Sequence, residues 1–302
     1  MQTVTIGPND AGQRVDKFLQ KNYQNLPVSM MYKAIRQKDI KLNGRRCQIS
    51  DRLREGDVLT LYVRDEFLEK PPPVYDFLSA SRRLDIVYED AHLLMVDKPP
   101  YLAVHPSAGK PDPTLANGVV AYYEKKGEAA SFRPVNRLDR NTSGLLLAAK
   151  DPHTAFLLTR KPEKVYLAVV FGRLEGEGTI DAPIRVKEGC CITREVGPGG
   201  KESVTHWQAL ASDGKLTLLR LRLETGRTHQ IRVHMAYIGH PLVGDTMYGT
   251  DETFLPRHAL HCSEMAFAHP LTGEPLHFVS PLPPDMERLL EERGLPSPPL
   301  RG

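Results

Sequence analysis

The stretch VNRLDRNTSGLLLAAK, residues 135–150, joins a polar cluster directly to an apolar run. Within the cluster, Asp139 stands between Arg137 and Arg140, and the run Leu145–Ala149 has the pattern of a buried strand. A strand anchored in the core would hold the acidic loop that precedes it. The stretch therefore predicts a rigid scaffold that presents one carboxylate among arginines.

The composition predicts a folded protein with a basic appendage. The chain has 302 residues, 40% of them hydrophobic, which is enough for two domains and excludes global disorder. Residues 12–64 contain twelve Lys or Arg and five Asp or Glu, a local charge of +7, whereas the whole chain carries only +3. A basic segment on a near-neutral body indicates a polyanion as partner.

Targeting and cysteine patterns point to the cytoplasm. The first residues lack a basic-then-apolar signal pattern, and we find no run of ~18 apolar residues, so we expect no membrane association. The four cysteines fit neither a disulfide framework nor a zinc motif. We therefore expect a cytoplasmic protein with reduced thiols.

Residues 12–64 are predicted to form a small basic RNA-binding domain of two helices on a small sheet. Ser29 is the expected cap of the second helix, and Asn43-Gly44 is a hairpin turn signal. The run Glu69-Lys70-Pro71-Pro72-Pro73 predicts a semi-rigid linker over residues 65–83. The basic side chains expected to face solvent and RNA are Lys33, Arg36 and Lys38.

Residues 84–290 are predicted to form a second domain, mostly of strands with some helices, which makes the protein α+β. Two strands, 84–88 and 93–97, form a hairpin. Further strands are expected at 166–171 and 216–224, and helices at 114–126, 151–160 and 285–292, with an ambiguous segment at 227–238 that looks helical toward its end. Residues 291–302 are expected to be a flexible tail.

The stretch RLDRNTSGLLLAAK resembles the catalytic motif of the RluA-type pseudouridine synthases. Other motifs agree in order and spacing: VDKPPYLAVHPS at 96–107, KVYLAVVFG at 164–172, ETGRTHQIRVHMAYIGHPLVGDTMYG at 224–249 and HALHCSEMAFAHPLTGEPLHFVSPLP at 258–283. The resemblance covers most of residues 84–285. The segment 14–63 is similar to the RNA-binding domain, named after a ribosomal small-subunit protein, that often precedes the catalytic domain in this family.

The resemblance implies a mixed, largely antiparallel sheet with flanking helices and a central cleft. It implies an enzyme that isomerises uridine to pseudouridine within structured RNA, without cofactor or metal. Large-subunit (23S) ribosomal RNA is the expected substrate, and transfer RNA is the alternative. We expect a monomer with no obligate protein partner.

The same resemblance assigns three catalytic residues. Asp139 is the carboxylate at the anomeric region of the sugar, as nucleophile or as base. Burial tends to protonate a carboxylate, and the resemblance places Arg232 beside Asp139 to keep it ionised and oriented. Tyr166 is expected to stack on the uracil with its hydroxyl near carbon 5, where a proton is lost.

Further residues are expected to contact RNA. The resemblance implies that Arg137 fills the gap that base flipping leaves in the RNA stack. Arg140, Arg227 and His229 are candidate phosphate contacts, with surface solvation an open alternative for Arg140. Thr142-Ser143-Gly144 is interpreted as architecture that ties the acidic loop to the next strand.

Two positions depart from the family pattern. Asn136 replaces the usual histidine before Arg-Leu-Asp, and we expect it to change a contact to RNA or to the loop. Tyr101 replaces the usual glycine of Lys-Pro-x-Gly, where a bulky residue would reshape the loop beside the cleft.

Two other functions remain open at this point. A non-catalytic RNA-binding ribosome assembly factor would also use the basic segment 12–64, although it gives no reason for Asp139, Tyr166 and Arg232 together. A nucleoside hydrolase would cut the same bond, but a free nucleoside needs no basic domain.

Overall fold

The structure, a computed structural model, describes residues 2–7, 10–23, 26–68, 84–106, 114–158, 162–190, 192–249 and 254–298. The chain divides into two compact units, residues 1–78 and 79–302. Each unit has its own apolar core.

The N-terminal unit packs helices on a four-stranded antiparallel sheet of order β1-β4-β2-β3. Its apolar core includes Phe18, Leu19, Met31 and Ile35. Asn43 and Gly44 have φ of +51° and +72°, as the predicted two-residue hairpin turn requires. Its elements are β1 (Gln2–Thr5), α1 (Val15–Asn22), α2 (Val28–Gln37), β2 (Ile40–Leu42), β3 (Arg45–Arg46), β4 (Val58–Leu61) and α3 (Asp65–Leu68).

The structure corrects three expectations about this unit. Strand β1 pairs with β4, so the fold begins before residue 12. Helix α2 begins at Val28 after Pro27, so Ser29 lies inside the helix and does not cap it. Helix α3 occupies the start of the predicted linker, because the Leu68 side chain is buried in the core. The remainder of that linker, residues 69–83, lies outside the described residues.

The second unit is built on a ten-stranded mixed sheet of order β10-β13-β14-β9-β15-β8-β6-β5, with β16 paired to β15 and β7 to β8. Strand β15 pairs with β8 in parallel, and the other described pairs of this sheet are antiparallel. The predicted α+β class and largely antiparallel sheet are confirmed. The strands of the sheet are β5 (Asp85–Glu89), β6 (Leu93–Lys98), β7 (Arg133–Pro134), β8 (Ser143–Ala149), β9 (Glu163–Phe171), β10 (Glu177–Asp181), β13 (Val204–Ser212), β14 (Leu216–Leu223), β15 (Leu260–Ala268) and β16 (Pro275–Val279), and a separate hairpin pairs β11 (Ile184–Val186) with β12 (Arg194–Val196).

The helices of this unit are α4 (Leu115–Lys126), α5 (Pro152–Leu157), α6 (Gln230–Tyr237) and α7 (Pro284–Glu292). Helix α5 is shorter than the predicted 151–160, and it begins after Asp151, whose side chain accepts the Thr154 N–H. The predicted flexible tail is wrong at its start, because α7 runs to Glu292 and Leu295 is buried beside it. Residues 299–302 lie outside the described residues. No helix in the described part of the chain is long and apolar enough to cross a membrane.

Strand β8 determines where the acidic loop lies. All seven of its residues are buried, because it is covered on both faces in the centre of the sheet. Near the start of β8, Gly144 is paired with Cys262 of β15, and Cys262 is also paired with Tyr166 of β9. Gly144 has φ of +106°, and a Cβ there would come within 2.2 Å of the Cys262 carbonyl oxygen. The close approach of these three strands brings the loop before β8 next to Tyr166.

Candidate active site

Asp139 lies in the turn that leads into β8, and its side chain lines a cavity of about 700 Å³. The Thr142 N–H donates to the Asp139 carbonyl at 3.1 Å and closes the turn. The preceding Leu138 is buried in the core, whereas 20% of the Asp139 side chain remains exposed. The carboxylate is therefore fixed by its neighbours and open to the cavity.

Arg232 reaches this carboxylate from helix α6. Its Nη1 donates to Asp139 Oδ2 at 3.1 Å, and only 7% of its side chain is exposed. The predicted contact between Asp139 and Arg232 is present. The flanking Ile231 and Val233 are buried, which places the start of α6 in the core rather than on the surface.

Asp245 holds the other edge of the guanidinium, and sequence analysis missed it. Arg232 Nε and Nη2 donate to its two carboxylate oxygens at 2.7 and 2.8 Å, which is bidentate geometry. Burial alone would raise the pKa of Asp245, but the hydrogen bonds and charge of Arg232 lower it below its usual value. The Tyr248 ring lies 5.0 Å from the Arg232 guanidinium carbon. Arg232 thus has its orientation set by Asp245 and Tyr248 before it meets Asp139.

His229 also approaches the carboxylate. Its Nε2 is 3.7 Å from Asp139 Oδ2, and its Nδ1 is 2.8 Å from the Tyr248 hydroxyl. The residue precedes α6 with a φ of +59°, which turns its ring into the cavity wall. Burial lowers its pKa, which favours a neutral imidazole. His229 therefore lies deeper than a surface phosphate contact would.

Tyr166 lines the same cavity from β9, with 5% of the residue exposed. Burial raises its pKa well above the usual value, and a hydrogen bond with Cys262 acts in the same direction. The ring is consequently a neutral phenol at physiological pH. It is suited to stacking and hydrogen bonding rather than to taking a proton as a phenolate.

Two buried cations hold the backbone of the acidic turn from behind. Lys98 Nζ donates to the carbonyls of Pro99, Leu102 and Arg140 at 2.9, 2.9 and 3.2 Å, so each ammonium proton has an acceptor. Burial lowers the Lys98 pKa to about 7, but the three carbonyl acceptors favour the ammonium form. Arg257 donates to the carbonyl of Asn141 at 3.1 Å, and a bidentate pair with Asp285 of α7 anchors it. Successive carbonyls of the turn are thereby fixed to different elements.

Two histidines and an asparagine complete this support. Thr142 Oγ1 is 2.8 Å from His258 Nε2, and Ser143 Oγ is 3.0 Å from His261 Nδ1. The predicted architectural role of Thr142-Ser143-Gly144 agrees with these contacts. Asn136 accepts the Leu147 N–H at 2.9 Å and donates to the Leu145 carbonyl at 3.2 Å. Asn136 therefore binds the backbone of strand β8.

The chain matches two known protein families. Residues 92–237 match the RNA pseudouridylate synthase family, and residues 13–59 match the S4 domain. The chain is 40% identical over 259 residues to YjbO, an uncharacterized RNA pseudouridine synthase of Bacillus subtilis, with 84% of this chain and 90% of that protein covered. The chain belongs to the RluA-type RNA pseudouridine synthases. It is an isomerase that acts on RNA, and its N-terminal unit is an S4 domain.

Further relatives of this synthase extend the likeness to both domains. It is 34% identical over 311 residues to the ribosomal large subunit pseudouridine synthase D of Escherichia coli (strain K12), with 96% of this chain and 93% of that protein covered. The solved structure of human RNA pseudouridylate synthase domain containing 1 has a TM-score of 0.54 and 27% identity, and covers 72% of this chain and 97% of its own.

The candidate RNA contacts of the synthase lie in two places. In the catalytic unit, Arg137 and Arg140 are exposed at the cavity, and Arg227 lines it with its Nε bound to the Glu202 carbonyl at 3.0 Å. In the S4 domain, three candidates are exposed on or just after α2. These three are Lys33, Arg36 and Lys38.

Proposed function

We propose that this synthase converts specific uridines of large-subunit (23S) ribosomal RNA to pseudouridine, with Asp139 as the catalytic carboxylate. The observation that carries the proposal is the Asp139–Arg232 pair at the wall of a cavity large enough for a flipped nucleotide. The ribosomal substrate is supported by the relative that is named a ribosomal large subunit synthase, which matches over both domains. With this substrate the enzyme acts in the cytoplasm as a monomer.

Asp139 presents one oxygen to the substrate. Among the described residues, Arg232 and His229 both approach Oδ2, so Oδ1 is the oxygen that we assign to the sugar. As a nucleophile, Oδ1 bonds to C1′ while the C1′–N1 pair leaves with the uracil. As a base, it takes the C2′ proton while the same bond breaks. Both routes need an ionised, oriented carboxylate, which the Arg232 guanidinium favours.

The remaining cavity residues are assigned by their positions. Tyr166 stacks on the detached uracil while it turns, because a neutral, buried ring next to the acid limits the base to the cavity. Arg137 fills the gap in the RNA stack, Arg140 and Arg227 contact phosphates, and His229 contacts the target nucleotide inside the cavity. The assembly-factor alternative gives no reason for an acid, a buried arginine and an aromatic ring in one cavity, and the hydrolase alternative gives none for the S4 domain.

The experiment is a pseudouridine map of total RNA from cells with the intact gene, without it, and with the Asp139→Asn variant. Asparagine keeps the size of the side chain but removes the charge. We expect discrete 23S sites that disappear in the last two strains and persist with Asp181→Asn, a change of an exposed carboxylate on β10. Sites lost only from transfer RNA would overturn the substrate assignment, and sites retained with Asp139→Asn would overturn the residue assignment.

A further inference from the structure

Tyr101 adopts a backbone conformation that a bulky residue rarely takes. Its φ is +64°, in a turn formed with Pro100 where glycine is the residue without a steric penalty. Other described non-glycine residues with positive φ stand at a helix end or a hairpin turn, namely Lys38, Asn43 and His229. The conformation at Tyr101 is therefore strained, and some gain must offset the strain.

Burial of the ring does not supply that gain. Tyr101 is 42% exposed, whereas the core tyrosines Tyr123 and Tyr166 are 2% and 5% exposed. A side chain retained for packing alone would be covered, because apolar area stabilises the fold only when it leaves water. An exposed ring in a strained turn indicates a role toward a ligand.

The turn is fixed at the rim of the active-site cavity. Lys98 donates to the carbonyls of Pro99 and Leu102, on either side of Tyr101. The Tyr101 carbonyl accepts from Arg140 Nε at 3.4 Å, and Arg140 lines the cavity. The aromatic ring is thus attached to the same support as the catalytic turn, which reduces the entropy lost when it binds a partner.

RNA offers a partner of matching chemistry. Every base has a π face, and aromatic side chains bind unstacked bases by stacking without reading their sequence. Flipping the target uridine exposes the bases beside it. We propose that Tyr101 forms a stacking subsite for an RNA base next to the target uridine. This inference rests on the proposed function and adds a binding site to it.

The first test separates the ring from the strain. Tyr101→Ala removes the ring and keeps a Cβ at positive φ, Tyr101→Gly removes both, and Tyr101→Phe keeps the ring. We expect the Ala and Gly variants to raise the KM for an RNA hairpin containing the mapped target about 5- to 150-fold, the equivalent of ~1–3 kcal/mol per stacked base. We expect single-turnover rates at saturating enzyme to change less than KM, and Phe to retain most of the affinity.

The Tm of the Gly variant distinguishes RNA binding from a purely structural role of Tyr101, because a structural role would make Tm and RNA affinity fall together. Tyr101→Gly relieves the strain, so its Tm should equal or exceed that of the wild type while its RNA affinity falls. Tyr237→Ala is the matched control, because Tyr237 is 61% exposed on a regular helix. An affinity loss as large in this control, or a Gly variant that loses Tm and affinity together, would overturn the proposal.

The second test locates the stacked base. Hairpins with a single abasic site at each position flanking the target are bound by the wild type and by Tyr101→Ala. We expect one position at which the abasic site weakens wild-type binding but has little further effect on the variant. Equal penalties for both proteins at every position would overturn the subsite. Because wild-type turnover is measured on the intact hairpin, this result is distinguishable from failure of the proposed function itself.

Discussion

Changing Asp245 to asparagine should lower the catalytic rate, although Asp245 does not belong to the described cavity lining. Asp245 is 1% exposed and receives two hydrogen bonds from Arg232 at 2.7 and 2.8 Å. Its Oδ1 also accepts the N–H groups of Met247 and Tyr248 at 3.1 and 3.2 Å. Asparagine keeps the shape and one oxygen, but its amide nitrogen would face an Arg232 donor. The change leaves Arg232 with Asp139 as its remaining charged partner among the described residues.

The expected loss of stability follows from these contacts. Removing one partner of a buried ion pair costs ~3–5 kcal/mol, and a hydrogen bond to a charged group is worth ~1.5–3 kcal/mol. Because asparagine keeps one acceptor and Arg232 keeps Asp139, we expect the lower end, ~3 kcal/mol. For a unit of this size that corresponds to a fall in Tm of ~6–12 °C.

We expect the variant to lose activity even at temperatures at which it is folded. Without its bidentate clamp, Arg232 no longer fixes the Asp139 carboxylate, and a misplacement near 1 Å can cost ~10²-fold in rate. KM should change little, because Asp245 does not belong to the described cavity lining. The assay is single-turnover release of tritium from RNA labelled at carbon 5 of uridine, run at a temperature at which the variant is folded.

A matched variant separates the two effects. Glu264 forms a half-buried ion pair with Arg220, whose Nη2 lies 2.8 Å from each of the two carboxylate oxygens, in the sheet and outside the described cavity lining. Glu264→Gln should lower Tm and leave kcat near the wild-type value. An Asp245→Asn enzyme that loses Tm yet keeps the wild-type kcat would refute the claim that Asp245 orients the catalytic pair.

Three further predictions follow from the same structure. Gly144→Ala should lower Tm by more than 5 °C in a thermal melt, because the new Cβ meets the Cys262 backbone within 2.2 Å; an unchanged Tm would contradict the close approach of the strands. Burial lowers the pKa of His258 to about 3 and that of His261 to about 4, below the ~6.5 of unfolded histidine, so their contribution is complete above pH 6.5 and is lost as pH falls. Between pH 7 and 5, denaturant unfolding should show a loss of ~2 kcal/mol for each, and equal stability at both pH values would count against two neutral histidines. Replacing the three exposed basic residues of the S4 domain by glutamine should reduce the slope of log affinity against log salt by ~2–3, and an unchanged slope would exclude them as phosphate contacts. Those residues are Lys33, Arg36 and Lys38.

Much of the fold was predictable because its patterns are local. The Asn43-Gly44 turn signal and the apolar run after Gly144 are confirmed as a hairpin turn and a buried strand. Errors occurred where packing decided the outcome. Leu68 and Leu295 lie beside proline-rich segments that suggest a linker and a tail, and only the structure shows that their side chains enter a core.

The candidate site was predictable where a motif named the residue. Asp139, Arg232 and Tyr166 line one cavity, as the resemblance implied. Asp245 lies in the motif at residues 224–249, directly after Gly244, and this position was the sequence feature that could have indicated a role in the site. Its hydrogen bonds to Arg232 depend on tertiary structure, which the sequence does not show. The sequence also does not predict that Lys98 binds the backbone of the acidic turn, because a lysine beside two prolines is typical of a surface loop.

We propose that Asp139, held as a carboxylate by its pairing with Arg232, breaks the bond between uracil and ribose. Single-turnover tritium release by purified Asp139→Asn, with RNA binding measured on the same preparation, separates catalysis from binding. We expect the wild type to release the label, and we expect the variant to bind RNA with similar affinity and release none. Release by the variant at the wild-type rate would contradict this proposal.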